Sequence, residues 1–317
     1  MKLGVSYISA HNPDHIERDM AHLAEIGCDE VLFALQENHF RTMTGGVRFG
    51  AKIAKAQHLE PYVVVWGFAN TFGGGRMSNY LLEDRSLWRI DRQGVPQPYA
   101  CLNNPHVIDA FGALTKICDD NGYKGMFVDE PTPQECFCGH CQKRFNLKYN
   151  MSLKDAQASP EYDAFRIETV AYYTQQVSQR VKQVNPQLRT ITCIMPHDRS
   201  CWDTVAKIEE LDVFGTDPYW LVSRGKMSIE QAVDDAKAVK ALCQKIGKES
   251  QIWLNCWRIP HGVEEQIYTG GKQLAEAGCD SMYTWSFRGG LGTNEECDNP
   301  VEAWAAVAKL YKELSNS

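Results

Sequence analysis

The 317-residue chain has no apolar run near the ~18 residues that a membrane-spanning helix needs. It has no excess of positive charge either. Its 33 Lys and Arg stand against 40 Asp and Glu, a net charge of −7. A general nucleic-acid binder would carry a basic face, so neither nucleic acid nor membrane is expected as a partner. No G-x-G-x-x-G follows the first apolar segment, which removes the dinucleotide fingerprint. The N-terminus, MKLGVSYISAHNPD, lacks the long apolar segment of a secretory signal, and the expected location is cytoplasmic. Cysteine is not scarce, at twelve residues, yet in a chain this long that does not amount to a disulfide scaffold. Most cysteines, including Cys28, Cys118, Cys193 and Cys279, sit in apolar patterns and read as small buried hydrophobes.

What is present is an alternation of short apolar strands and amphipathic helices. The strands read as Leu3–Ile8, Glu30–Leu35, Pro61–Trp66, Gly125–Asp129, Thr190–Met195, Leu211–Gly215, Gln251–Asn255 and Ser281–Trp285. Near-continuous apolar strands between helices indicate a parallel sheet covered on both faces. Residues 14–26 place Ile16, Met20, Leu23 and Ile26 on one helical stripe, with Asn12-Pro13-Asp14 as its start signal. Two phrases, AHLAEIGCDEVLF and KQLAEAGCDSMYTW, repeat one helix-to-strand junction in which Gly serves as the helix C-terminal cap. Eight such units predict a (β/α)8 TIM barrel, α/β in class, as a single domain over 1–317. The loops after strands three and four are enlarged, and in a barrel the loops at that end carry function.

The loop after strand four holds Cys136, Cys138 and Cys141 as C-x-C-x-x-C. Three thiols this close suit a structural zinc, which takes four tetrahedral ligands. Cys101, in PYACLNNP, is the preferred fourth ligand, and His140 is the competitor. A site of thiolates alone has no open position for water, so its role would be to pin the loop.

PYACLNNPHV, the acid pair Asp129-Glu130 ending strand four, and ECFCGHCQKRFNLKYNMSLKDA together resemble glycoside hydrolase family 42, the β-galactosidases. The likeness covers roughly residues 88–155. It implies a structural zinc on Cys101, Cys136, Cys138 and Cys141, with Phe145 and Tyr149 matching positions after the motif. It also implies that Glu130 is the general acid/base. The family has Asn before that Glu, where this chain has Asp129. The family's nucleophile is a Glu ending strand seven, whereas this strand ends Trp253-Leu254-Asn255-Cys256-Trp257. The family mechanism therefore does not transfer whole, and the chain lacks the family's extra C-terminal domains.

Glycoside hydrolysis needs two carboxyl groups, one to protonate the leaving oxygen and one to attack or to activate water. Asp217, in FGTDPYW after strand six, is the main candidate for the second, with Glu37 and Asp91 as further options. Side chains alternate along a strand, so at most one of Asp129 and Glu130 faces the barrel mouth unless the strand has already broken. By similarity to clan-D-like α-glycosidases, Asp129 would attack and Asp217 would donate the proton. The rival assignment keeps Glu130 as acid and Asp217 as base. A loop hydrogen bond or helix cap is the alternative role for Asp217.

Trp66, Tyr219, Trp220, Trp257 and Trp285 fall at or just beyond strand ends, where flat rings can cover sugar faces. His11, His197, Asn255 and Arg288 could supply hydrogen bonds to hydroxyls. Gly73-Gly74-Gly75 gives an adaptable loop near the mouth. The expected function is a carbohydrate-active hydrolase using carboxylates of strands four and six, with a carbohydrate as its partner. A non-catalytic sugar-binding protein and a metal-dependent barrel aldolase or isomerase are the alternatives. Oligomeric state is open, a homo-oligomer included.

Overall fold

A computed structural model describes residues 1–8, 11–71, 78–222 and 227–316. The Gly73-Gly74-Gly75 segment lies outside the described residues. In chain order the strands are β1 (Lys2–Tyr7), β2 (Glu30–Leu35), β3 (Glu60–Val65), β4 (Trp88–Ile90), β5 (Pro96–Ala100), β6 (Gly125–Val128), β7 (Arg189–Cys193), β8 (Val213–Thr216), β9 (Glu249–Asn255) and β10 (Ser281–Trp285). Eight of them close into a parallel barrel in the order β1-β2-β3-β6-β7-β8-β9-β10. These are the eight expected strands, with ends shifted by one or two residues. The (β/α)8 architecture follows from the run of apolar strands, each needing a helix on its outer face and a packed interior.

Alternation sorts the strand side chains between two cores. On β2, Val31, Phe33 and Leu35 join the layer under the helices, while Leu32 and Ala34 point inward with Tyr62, Val64, Phe127, Val213 and Tyr283. The interior is tight. A methyl group on Gly4 of β1 would lie 2.3 Å from the Tyr283 ring. At the repeated junctions, Gly27 has φ +92° and Gly278 has φ +77°, the left-handed conformation that ends each helix. The Asp that follows has a structural task. Asp29 accepts from the Leu3 amide at 2.8 Å, and Asp280 accepts from the Ser250 amide at 2.9 Å and its hydroxyl at 2.6 Å. Each carboxylate thus pins its own strand to the neighbouring one at the barrel's N-terminal end.

Both enlarged loops are folded units. The one after β3 contains the antiparallel hairpin β4–β5, which no alternation in WRIDRQGVPQPYA announced. The one after β6 carries the cysteine segment, a helix over Gly139–Tyr149 and a 25-residue helix over Pro160–Val184. The Phe137 amide donates to the Ile90 carbonyl at 2.7 Å and sews the two loops together.

Glu37 and Asp91, the further carboxylate options, are structural. Asp91 closes the hairpin turn by accepting from the amides of Gln93 and Val95 at 3.0 and 2.8 Å. Glu37 is buried and accepts from the Ala69, Asn79 and Tyr80 amides and the Ser78 hydroxyl at 2.5–3.2 Å. Removing it strands several buried donors, each costing ~1–3 kcal/mol. Glu37→Ala is therefore expected to lose about 3 kcal/mol or more in urea unfolding; a loss under about 1 kcal/mol would contradict this role.

Candidate active site

Strand β6 ends at Val128, and the chain then turns sharply: Glu130 has φ +35°, a left-handed conformation that a side chain rarely adopts. The break lifts the alternation rule. Asp129 and Glu130 both face one cavity of about 520 Å³ at the C-terminal end of the barrel. Asp217, just past β8, lines the same cavity. So does Cys193, at the end of β7, whose sulfur lies with oxygens of Asp129 and Glu130 inside a 4.8 Å span. Cys193 is buried as expected, but it is a cavity wall rather than packing alone.

Three carboxyl groups this close oppose one another's ionisation. Asp217 is 2% exposed, and besides its own backbone amide its oxygens meet only another carboxyl group. Its contact is the carboxyl of Glu130, itself only an acceptor when ionised. Two carboxyl groups in hydrogen-bond contact must share a proton. Burial pushes the Asp217 carboxyl well up from its usual range, and the charge of Glu130 pushes it further. Burial and Glu130 raise Asp129 in the same way. Burial also raises Glu130, but the hydrogen bond from Asp217 and the neighbouring His197 pull it back down. All three carboxyls are thus pushed toward the protonated form, and Glu130 is the one whose neighbours most favour the anion.

Aromatic rings form the walls. Trp66 meets Trp285 edge to face at 5.1 Å, and Tyr219 meets Trp257 at 5.6 Å. Trp253 sits among Phe127, Tyr283 and Trp285 on the floor. The indole N–H groups of Trp253 and Trp257 are buried without an acceptor. Trp66, His197, Tyr219, Trp257 and Trp285 line the cavity. Trp220, Asn255, Arg288 and His11 do not. Trp220 turns outward and packs on the core beside Gly270. Asn255 is fully buried, its carbonyl accepting from the Leu221 amide at 3.3 Å. Arg288 pairs instead with Asp19 of the first helix at 3.2 Å. Sequence reasoning missed Trp253, Thr132, Met195, and the rim pair Arg258–Glu295, joined at 3.2 Å. The inward parity of Trp253 with Gln251 on β9 was the one signal that could have found a member of this group.

The sulfurs of Cys101, Cys136, Cys138 and Cys141 lie within 4.8 Å of one another, and Cys101 is 3.4 Å from both Cys138 and Cys141. His140 is exposed and outside the group. A tetrahedral ion ~2.3 Å from each sulfur needs sulfurs about 3.8 Å apart, so the cluster could hold a metal. Asn103 adds the expected outer support, donating from its amide to Cys101 at 3.4 Å and from Nδ2 to Cys141 at 3.2 Å. Arg144 fixes Asn103 in turn at 2.6 Å. Five residues of chain separate Glu130 from Cys136, and Gln134 and Arg166 brace that span through the Thr71 and Pro133 carbonyls.

No protein-family model matches the chain, and no curated protein matches it at a significant level. Solved structures do. A β-galactosidase from the haloarchaeon Halorubrum lacusprofundi superposes with a TM-score of 0.75 at 15% identity, over 100% of this chain and 58% of its own. A family 42 β-galactosidase from G. stearothermophilus gives 0.72 at 15% identity, over 99% and 57%. The fold is a TIM barrel like that of the family 42 β-galactosidases. The β-amylase catalytic domain from Paenibacillus polymyxa gives 0.69 at 8% identity, over 99% and 98%. The chain thus spans less than three fifths of the two β-galactosidases.

The proton on Asp217 has a thermodynamic signature. Its carboxyl is raised on folding, so the folded state binds more protons than the unfolded one above the ordinary Asp range near ~3.9. Stability from this group is therefore lost as pH rises. Asp217→Asn should gain stability relative to the parent between pH 4 and pH 8 in chemical denaturation. A stability difference independent of pH would refute the shared proton.

Proposed function

We propose that the chain is a retaining glycoside hydrolase in which Glu130 attacks the anomeric carbon, Asp129 protonates the leaving oxygen and buried Asp217 positions Glu130. The carrying observation is the spacing: Asp129 and Glu130 present oxygens within 4.8 Å, and Glu130 touches Asp217. Retaining enzymes keep their carboxyl groups ~5–5.5 Å apart, and inverting ones need ~6.5–9.5 Å to admit a water. The Asp129–Glu130 spacing falls on the retaining side of that divide.

Asp129 and Glu130 are partly open to the cavity, whereas the oxygens of Asp217 are sealed. This favours Asp217 as a support and not, as the sequence suggested, as half of the working pair. As the glycosidic bond breaks, the proton of Asp129 moves to the departing oxygen. Glu130 forms an ester with the sugar. Asp129, now ionised, takes a proton from water as that water cleaves the ester. Trp66, Trp257 and Trp285 would cover the sugar's C–H faces. The unpaired indole N–H groups of Trp253 and Trp257 would meet hydroxyl oxygens.

The four-cysteine cluster fits a structural zinc, which would supply no chemistry because four thiolates leave no open position. Its effect is to hold the end of the segment that carries Glu130. A non-catalytic sugar-binding role is favoured by one observation, the absence of a carboxylate over Asn255-Cys256-Trp257. Binding of a sugar without turnover would decide for it.

Aryl β-D-galactosides are the first probes, followed by other sugars and the opposite anomer. Proton NMR of the first-formed product should show the anomer of the substrate. Glu130→Gln should abolish turnover of every glycoside. Asp129→Asn should lose about 10²–10⁴-fold in kcat/KM on poor leaving groups and keep kcat/KM near the parent on dinitrophenyl glycosides, which need no proton to depart, while kcat falls on both because cleavage of the ester still needs the Asp129 base. An inverted product, or equal losses in kcat/KM on both leaving groups, would overturn these roles. Metal analysis should find a tightly held zinc that is lost in Cys138→Ser, whose melting temperature should fall.

A further inference from the structure

We infer that the catalytic cavity contains a second, thiophilic cation site, formed by Asp129, Glu130 and Cys193 with Asp217 beneath them. One sulfur and two carboxylate oxygens converge within 4.8 Å. A zinc ion binds sulfur at ~2.3 Å and carboxylate oxygen at ~2.0–2.2 Å, which needs donors about 3.5 Å apart. Side-chain rotation of an ångström closes that difference.

Acidic groups near one another are not enough to define a site, and here two further features point to a ligand. Asp217 is 2% exposed and lines the same cavity, and its two buried oxygens have no cation or side-chain donor, only the Glu130 carboxyl and its own backbone amide. Cys193 is 3% exposed and puts a thiol where glycoside chemistry has no use for one. Carboxylates alone would favour hard ions such as magnesium or calcium, and a thiolate beside them shifts the preference to zinc or cadmium. The four cysteines of the loop cluster are separate from this group.

Coordination requires deprotonated donors, so an entering cation releases the proton between Asp217 and Glu130 and the proton of Cys193. It then occupies the two side chains assigned to hydrolysis. The site is accordingly inhibitory, and that consequence rests on the proposed function, while the binding itself does not.

The test is a zinc titration of full-length protein whose loop cluster is already filled, followed by calorimetry and a metal count. The expected result is a second equivalent, with proton release that depends on the buffer. Its affinity should fall at least tenfold in Cys193→Ser and in Asp217→Asn, while the first equivalent is retained and circular dichroism is unchanged. A metal count that stops at one overturns the site, as does a second equivalent undiminished in both variants. If a second zinc binds and no glycoside is ever cleaved, the hydrolase reading fails and the site stands. If glycosides are cleaved and only one zinc binds, the reverse holds.

Discussion

Three carboxyl groups pressed together in a partly dry cavity can carry one negative charge cheaply, and further charges only at steep cost. That constraint organises the site. It pushes Asp217 toward its protonated form, because burial and the adjacent Glu130 both oppose its ionisation. It makes Glu130 the charged member, since it alone has a neighbouring donor and His197 to favour the anion. It also keeps a proton on Asp129. Opposite protonation states in adjacent acids are what glycoside cleavage asks of a protein.

The rest of the architecture serves to force those groups together. The barrel brings the ends of β6, β7 and β8 side by side through the registers Val128–Thr192 and Cys193–Gly215. A left-handed residue at Glu130 then folds two consecutive acids into one cavity, a strain that must be offset by the surrounding contacts. Those contacts lie downstream: Gln134 on Thr71, Arg166 on Pro133, Phe137 on Ile90, and the cysteine cluster on Cys101. The acids and the thiols are two sites, and the short chain between them couples the geometry of one to the rigidity of the other.

The barrel was legible because apolar strands such as Glu30–Leu35 and Ser281–Trp285 have few other ways to bury themselves. The cysteine spacing pointed to the same four residues that the fold assembles, with His140 left outside. Legibility stopped where strands ended. Tyr219 and Trp220 are adjacent beyond β8, yet one faces the cavity and the other the helices, and no periodicity extends there to say which. Strand alternation put at most one of Asp129 and Glu130 at the mouth unless the strand had broken, and the break itself has no local signature because tertiary contacts set that backbone angle. Arg288 was drawn away by Asp19, 269 positions earlier in the chain, a pairing that only the closed barrel creates.

The central claim is that one charge resides on Glu130. Carbon-13 NMR of labelled side-chain carboxyl groups, followed from pH 3 to pH 9, tests it most directly. The account predicts that Glu130 ionises before Asp129 and Asp217, and that both aspartates ionise well above the usual Asp range. If Asp217 ionises first and Glu130 retains the proton, the assignment of roles in this cavity is wrong.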